Sequence, residues 1–131
     1  MKISIVHAHR ATREVLARAL ARKLGADVTT FAHIENVLNS SMDYDVFVVY
    51  NNFDHKMDGV KGVAMIRIRK PHAFIIGVSY RPNLDRVFLP AGANALLLRA
   101  GNEIEKLIRI IYNHQAQQRS LAAPSASSAL D

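Results

Sequence analysis

The sequence predicts an α/β fold: five strand–helix units forming an open parallel sheet with helices on both faces. Three observations carry this expectation. Short apolar runs alternate with segments whose apolar residues recur at three- and four-residue spacing. Two of the runs, YDVFVVY (44–50) and AFIIGVS (73–79), are apolar throughout, as expected of strands covered on both faces. At 131 residues, 50% of them hydrophobic, the chain fits one domain with a substantial core.

KISIV (2–6) reads as the first strand. A basic helix over 10–24 follows, in which Val15, Leu16, Ala19, Leu20 and Leu24 recur at helical spacing and the arginines lie largely outside. Gly25 supplies its stop. DVTTF (27–31) is a β-branched second strand, followed by a brief helix over 33–39. The third strand, 44–50, runs into the polar loop NNFDHKMD, and the third helix spans 59–69 before Pro71. The fourth strand is 73–79, Pro82 opens a weak helix to about Leu89, and NALLL (94–98) is the fifth strand. The closing helix, 102–115, places Ile104, Leu107, Ile108 and Ile111 on one stripe. Residues 1–117 therefore form the domain, and the Ala/Ser-rich stretch 118–131 reads as a flexible tail.

Composition narrows the chemistry. Cysteine is absent, which excludes disulfides, thiolate metal sites and cysteine nucleophiles. No apolar run approaches the ~18 residues that span a bilayer, and no secretory signal opens the chain. The expectation is a cytoplasmic protein without membrane insertion. The net charge of +6 favours an acidic partner, and Arg10, Arg13, Arg18, Arg22 and Lys23 concentrate it on the first helix. No Gly-rich phosphate loop, nucleophile elbow or metalloprotease motif is present, nor a helix-turn-helix pattern or an aromatic-rich RNA-binding strand. In an open parallel sheet, ligands sit beyond the carboxyl ends of the strands. The residues there are His7–His9, Tyr50–Asn52, Ser79–Tyr80 and Arg99.

Five motifs in order make residues 1 to about 115 resemble the receiver domain of two-component response regulators, the CheY-like fold. They are ISIVHAHRATREVLARAL, YDVFVVY, MDGVKGVAMIR, IIGVS and GANALLLRAG. The resemblance implies the strand order 2-1-3-4-5 and a role in signal transduction. It also implies a phosphoryl-acceptor pocket built from acids, Mg2+, a hydroxyl residue and a lysine. This sequence departs from that pocket almost completely. His7 and Ala8 stand where the family has an acidic pair. The acceptor aspartate falls on Tyr50 counting from Tyr44-Asp45, or on Asn51 counting back from Asp58-Gly59. Arg99 replaces the lysine, Ala100 the following proline, and Leu96 the aromatic of the fifth strand; Ser79 alone remains. Mg2+ needs a cluster of hard oxygen ligands, and phosphoryl transfer needs an aspartate nucleophile with countercharge. The expectation is a pseudo-receiver that uses no cofactor and is not an enzyme.

The resemblance further implies homodimerisation or partner docking through about residues 83–112, with Leu84, Val87, Phe88, Leu96 and Ile108 as candidates. The arginines of the first helix, Arg10, Arg13, Arg18 and Arg22, are candidates for an acidic protein partner. Nucleic-acid association through the same charge is the alternative, and its affinity would fall steeply with salt. A third reading joins His7, His9 and His55 in a transition-metal site. Asp54 and Asp58 are expected to cap their loop, Arg99 to pair with one of them, and Tyr50 to fill the vacated pocket.

Overall fold

The computed structural model describes residues 1–51, 59–79, 85–98 and 101–122. Its strands are β1 (Lys2–Val6), β2 (Asp27–Phe31), β3 (Val46–Tyr50), β4 (Phe74–Ser79) and β5 (Ala95–Leu98). Between and after them lie α1 (Arg10–Leu24), α2 (Ile34–Leu38), α3 (Gly59–Arg69), α4 (Asp85–Ala91) and α5 (Glu103–Ala122). All neighbouring strands are parallel, in the order β2-β1-β3-β4-β5. This is the doubly wound CheY-like topology expected from the motifs.

Strand alternation divides the apolar residues between two cores. Ile3, Ile5, Val46, Val48, Ile76 and Val78 pack with Leu16 and Leu20 of α1 and Leu107 and Ile111 of α5. Val6, Phe47, Val49 and Ile75 pack on the other face with Val37 of α2, Val63 and Ile66 of α3, and Phe88 of α4. Every residue of β3 is buried, because it has a strand on each side and a helical layer on each face. β2, at the edge, alternates between exposed and half-buried residues.

Close approaches explain several local choices. Gly77 of β4 lies under the Phe88 ring, where a Cβ would come within 2.6 Å of a ring carbon. A strand glycine here admits an aromatic from the layer above. Phe88 is therefore fully buried, and its assignment to a docking surface is corrected: it is a core residue of α4. Gly25 ends α1 in the left-handed conformation, φ 62°, and returns its N–H to the Ala21 carbonyl.

Helix α5 is longer than its apolar stripe. It runs on to Ala122, so residues 118–122, expected in the tail, are helical; 123–131 lie outside the described residues. At the amino edge of the sheet, Arg67 of α3 has no carboxylate partner among the described residues and turns inward to backbone oxygens. Its Nε and Nη2 donate to the Gly92 carbonyl at 3.0 and 2.7 Å, and Nη2 also donates to Asn94 Oδ1 at 2.6 Å. Its Nη1 reaches the carbonyls of Pro71 and Ala73, each at 2.8 Å. Asn94 Oδ1 in turn accepts the Ile75 N–H at 2.8 Å. One guanidinium thus fastens the end of α3, the start of β4 and the turn into β5.

Candidate functional site at the carboxyl edge of the sheet

Continuous with β1, His7 keeps sheet pairing through its N–H to the Phe31 carbonyl at 3.0 Å. Its side chain points to the α1/α5 face and is 6% exposed. His7 Nδ1 accepts the N–H of His9 at 2.9 Å, so a neutral ring carries its proton on Nε2. The ring meets Tyr50 edge-on, with centroids 4.4 Å apart and planes at 61°. Tyr50, last residue of β3, is buried on the same face and donates its hydroxyl to Glu103 Oε2 at 3.2 Å. Glu103 opens α5, where the positive end of the helix dipole favours a carboxylate. Arg13 of α1 closes the loop from outside, its Nη1 donating to the carbonyls of His7 (3.3 Å) and Ala8 (3.2 Å).

The other face of the edge carries Asn51 and Ser79. Asn51 extends β3 by one residue, its N–H bonding the Val78 carbonyl at 3.0 Å. Its side-chain oxygen accepts the Gly59 N–H at 3.0 Å, satisfying a donor at the start of α3. Ser79 ends β4 and is buried on this same face, as alternation from Ile75 and Gly77 requires. The structure thus brings His7 together with Tyr50, and places Asn51 beside Ser79 across the sheet.

The described residues of this edge are poor in the oxygen anions that hold a hard cation. Glu103 is the one carboxylate among the residues just described, and it accepts from Tyr50. Among the described residues, no three His, Asp or Glu side chains gather to hold a metal ion. The Mg2+ that the receiver resemblance implies does not fit His7, Ala8, Tyr50, Asn51 and Ser79, and no step can be routed through it. His7 and His9 diverge: one is buried, the other exposed, and His7 Nδ1 is already engaged.

The remaining predicted residues are dispersed. Arg99, His55, Leu84, Asp54 and Asp58 lie outside the described residues. Arg10 pairs with Glu14 at 3.0 Å on the outside of α1, and Arg18 and Arg22 are exposed beside it; Arg13 is committed to the loop. Of the docking candidates on the α4–β5–α5 side, Val87 is 41% exposed, while Leu96 and Ile108 are half-buried against the two cores. Sequence reasoning missed Glu103, although an acid in the first turn of the helix after the fifth strand is a signal of position. It also missed Arg67, whose partners are carbonyls and leave no pattern in side-chain types.

No protein-family model and no curated protein matches the chain. Solved structures do. A CheY-like receiver domain protein from Methanospirillum hungatei JF-1 is 19% identical with a TM-score of 0.80, over 91% of this chain and 96% of that one. A LuxR-family two-component response regulator from Aurantimonas sp. SI85-9A1 is 18% identical, TM-score 0.74, over 99% and 98%. The Thermotoga maritima response regulator TrrA, in complex with Mg2+-BeF, is 20% identical, TM-score 0.71, over 82% and 96%. At these identities the likeness is one of fold. The chain has the fold of CheY-like response-regulator receiver domains.

Proposed function

We propose that this chain is a pseudo-receiver, a cytoplasmic signalling module that works by binding protein partners without being phosphorylated and catalyses no reaction. The carrying observation is the make-up of the carboxyl edge. His7 and Tyr50 pack ring to ring, and Asn51 spends its amide oxygen on the backbone of α3. The position of Asn51 beside Ser79 supports the alignment that counts back from Gly59, which puts an amide where the resemblance calls for an acyl-phosphate nucleophile. An amide oxygen is neither anionic nor able to form that acyl phosphate.

With no covalent switch, partner binding itself would select the conformation. Two surfaces support that role. Arg10, Arg18 and Arg22 line the exposed face of α1 and suit an acidic protein surface. The side formed by α4, β5 and α5 exposes Val87 and Leu98, each 41% exposed, and suits a second copy or an apolar partner. The test is a heteronuclear NMR titration with Mg2+ and beryllofluoride, the phosphoryl mimic that TrrA holds. No shift at Asn51, Ser79 or Gly59 is expected. A saturable shift at those amides would refute the proposal.

A further inference from the structure

A further feature lies at the opposite, amino edge of the sheet. A cavity of about 550 Å3 opens there between the segment before β3, the turn between α3 and β4, and the last turns of α5. Its volume lies within the range of small-molecule sites. Its lining is mainly basic. Arg69 and Lys70 line it, together with the imidazoles of His72 and His114, against a single acid, Asp45. That acid is engaged, since its Oδ2 accepts the Lys2 N–H at 2.8 Å. No ion pair among the described residues neutralises Arg69, Lys70 or His72.

Two further observations mark a prepared site. The turn carrying Lys70 and His72 is held from behind by Arg67, whose Nη1 takes the carbonyls of Lys70, Pro71 and Ala73 at 3.5, 2.8 and 2.8 Å. Those carbonyls are drawn to a half-buried cation, and the turn is fixed before any ligand arrives, which lowers the ordering cost of binding. One wall is flat: the His114 imidazole stacks on Phe74 with centroids 4.0 Å apart and planes at 14°, and Tyr44 lines the same cavity. A fixed cationic turn facing a planar wall matches a ligand with an anionic group at one end and an aromatic ring at the other.

We propose that this cavity binds a phosphorylated small molecule bearing a planar base, of the nucleotide class. The phosphate meets Lys70, His72 and Arg69, and the base lies along the His114–Tyr44 side, with Gln118 of α5 within reach as a polar contact. The inference is independent of the pseudo-receiver reading, which concerns the other end of the strands.

The experiment is isothermal titration with NMR mapping on the whole chain, using adenosine and guanosine 5′-monophosphates, adenosine, and inorganic phosphate as probes. Saturable binding of a monophosphate is expected below about 1 mM, with shifts at residues 70–73 and 114–118. Adenosine and phosphate alone should each bind at least about tenfold more weakly, because each offers half of the contacts. A Lys70→Gln/His72→Gln variant changes only side chains on the turn and should lose the monophosphate about tenfold while keeping the parent melting temperature. An Arg18→Gln/Arg22→Gln variant on α1 should bind as the parent does. The proposal is overturned by no saturable binding, by shifts confined to His7, Asn51 and Ser79, by equal affinity for adenosine, or by full affinity in the Lys70→Gln/His72→Gln variant.

Discussion

Arg67 illustrates how a single side chain can organise an end of the sheet through backbone carbonyls. Burial holds its guanidinium below the ordinary arginine range, so the surrounding carbonyls have to compensate its desolvation. Replacing it with methionine keeps the aliphatic stem but leaves the Gly92, Pro71 and Ala73 carbonyls without their donor. The expected loss is about 2–3 kcal/mol in urea unfolding. Ser4 makes the opposite case. Its hydroxyl is fully buried in the centre of β1 and, among the described residues, has no hydrogen-bond partner. Ser4→Ala should therefore be neutral or stabilising by up to ~1 kcal/mol in the same measurement, whereas a loss of more than that would show a hidden partner. His114 gives a pH dependence. Burial lowers its pKa from the ordinary 6.5, with Asp45 opposing the shift. The unfolded chain thus binds this proton more tightly than the folded one, and stability falls as the pH drops through 6.5 until the folded group also titrates. His114→Phe should keep the stack on Phe74 and flatten that part of the thermal-stability profile.

At the scale of elements, the strands, α1 and α3 are the most legible in the sequence. β1, α1 and α3 have the bounds their apolar patterns predict, and β3, β4 and β5 differ only by a residue or two at their first positions. The misreadings have physical causes. Helix α5 extends to Ala122 because its last turns need no apolar face, so glutamine and serine there leave no periodicity to read. The weak pattern of α4 does not tell which of its apolar residues face the core and which an interface, and Phe88 proves to be core. The counter-signal was Gly77, a side-chain-free gap in an otherwise continuous apolar strand. Gly77→Ala forces the Phe88 ring to move and should cost about 1–3 kcal/mol by overpacking. Pairing it with Phe88→Leu should recover part of that loss, as coupled contacts do. Gly62 of α3 makes the same kind of contact with Ile34 of α2.

For the molecule as a whole, the two ends of the sheet have diverged in chemistry. At the carboxyl edge, where an open parallel sheet keeps its ligands, the described residues supply an aromatic pair, an amide bonded to backbone and a carboxylate engaged by Tyr50. That site was partly legible: the sequence located His7, Tyr50, Asn51 and Ser79 at strand ends. It could not show that His7 and Tyr50 meet on one face, since that depends on the register of β1 against β3. Among the described residues, much of the positive charge lies on the outside of α1 and around the amino-edge cavity. If α1 meets an acidic protein, reversing Arg10, Arg18 and Arg22 to glutamate should abolish capture of that protein and leave the fold unchanged by circular dichroism. If the charge serves nucleic acid instead, affinity for duplex DNA should fall by orders of magnitude between ~50 and 200 mM salt. The proposed absence of phosphoryl chemistry is tested most directly by intact-protein mass spectrometry after incubation with acetyl phosphate and Mg2+. The pseudo-receiver account predicts an unmodified mass at every time point. A phosphoryl adduct labile to base and to hydroxylamine, as an aspartyl phosphate is, whether on Asp54, Asp58 or elsewhere, would contradict it.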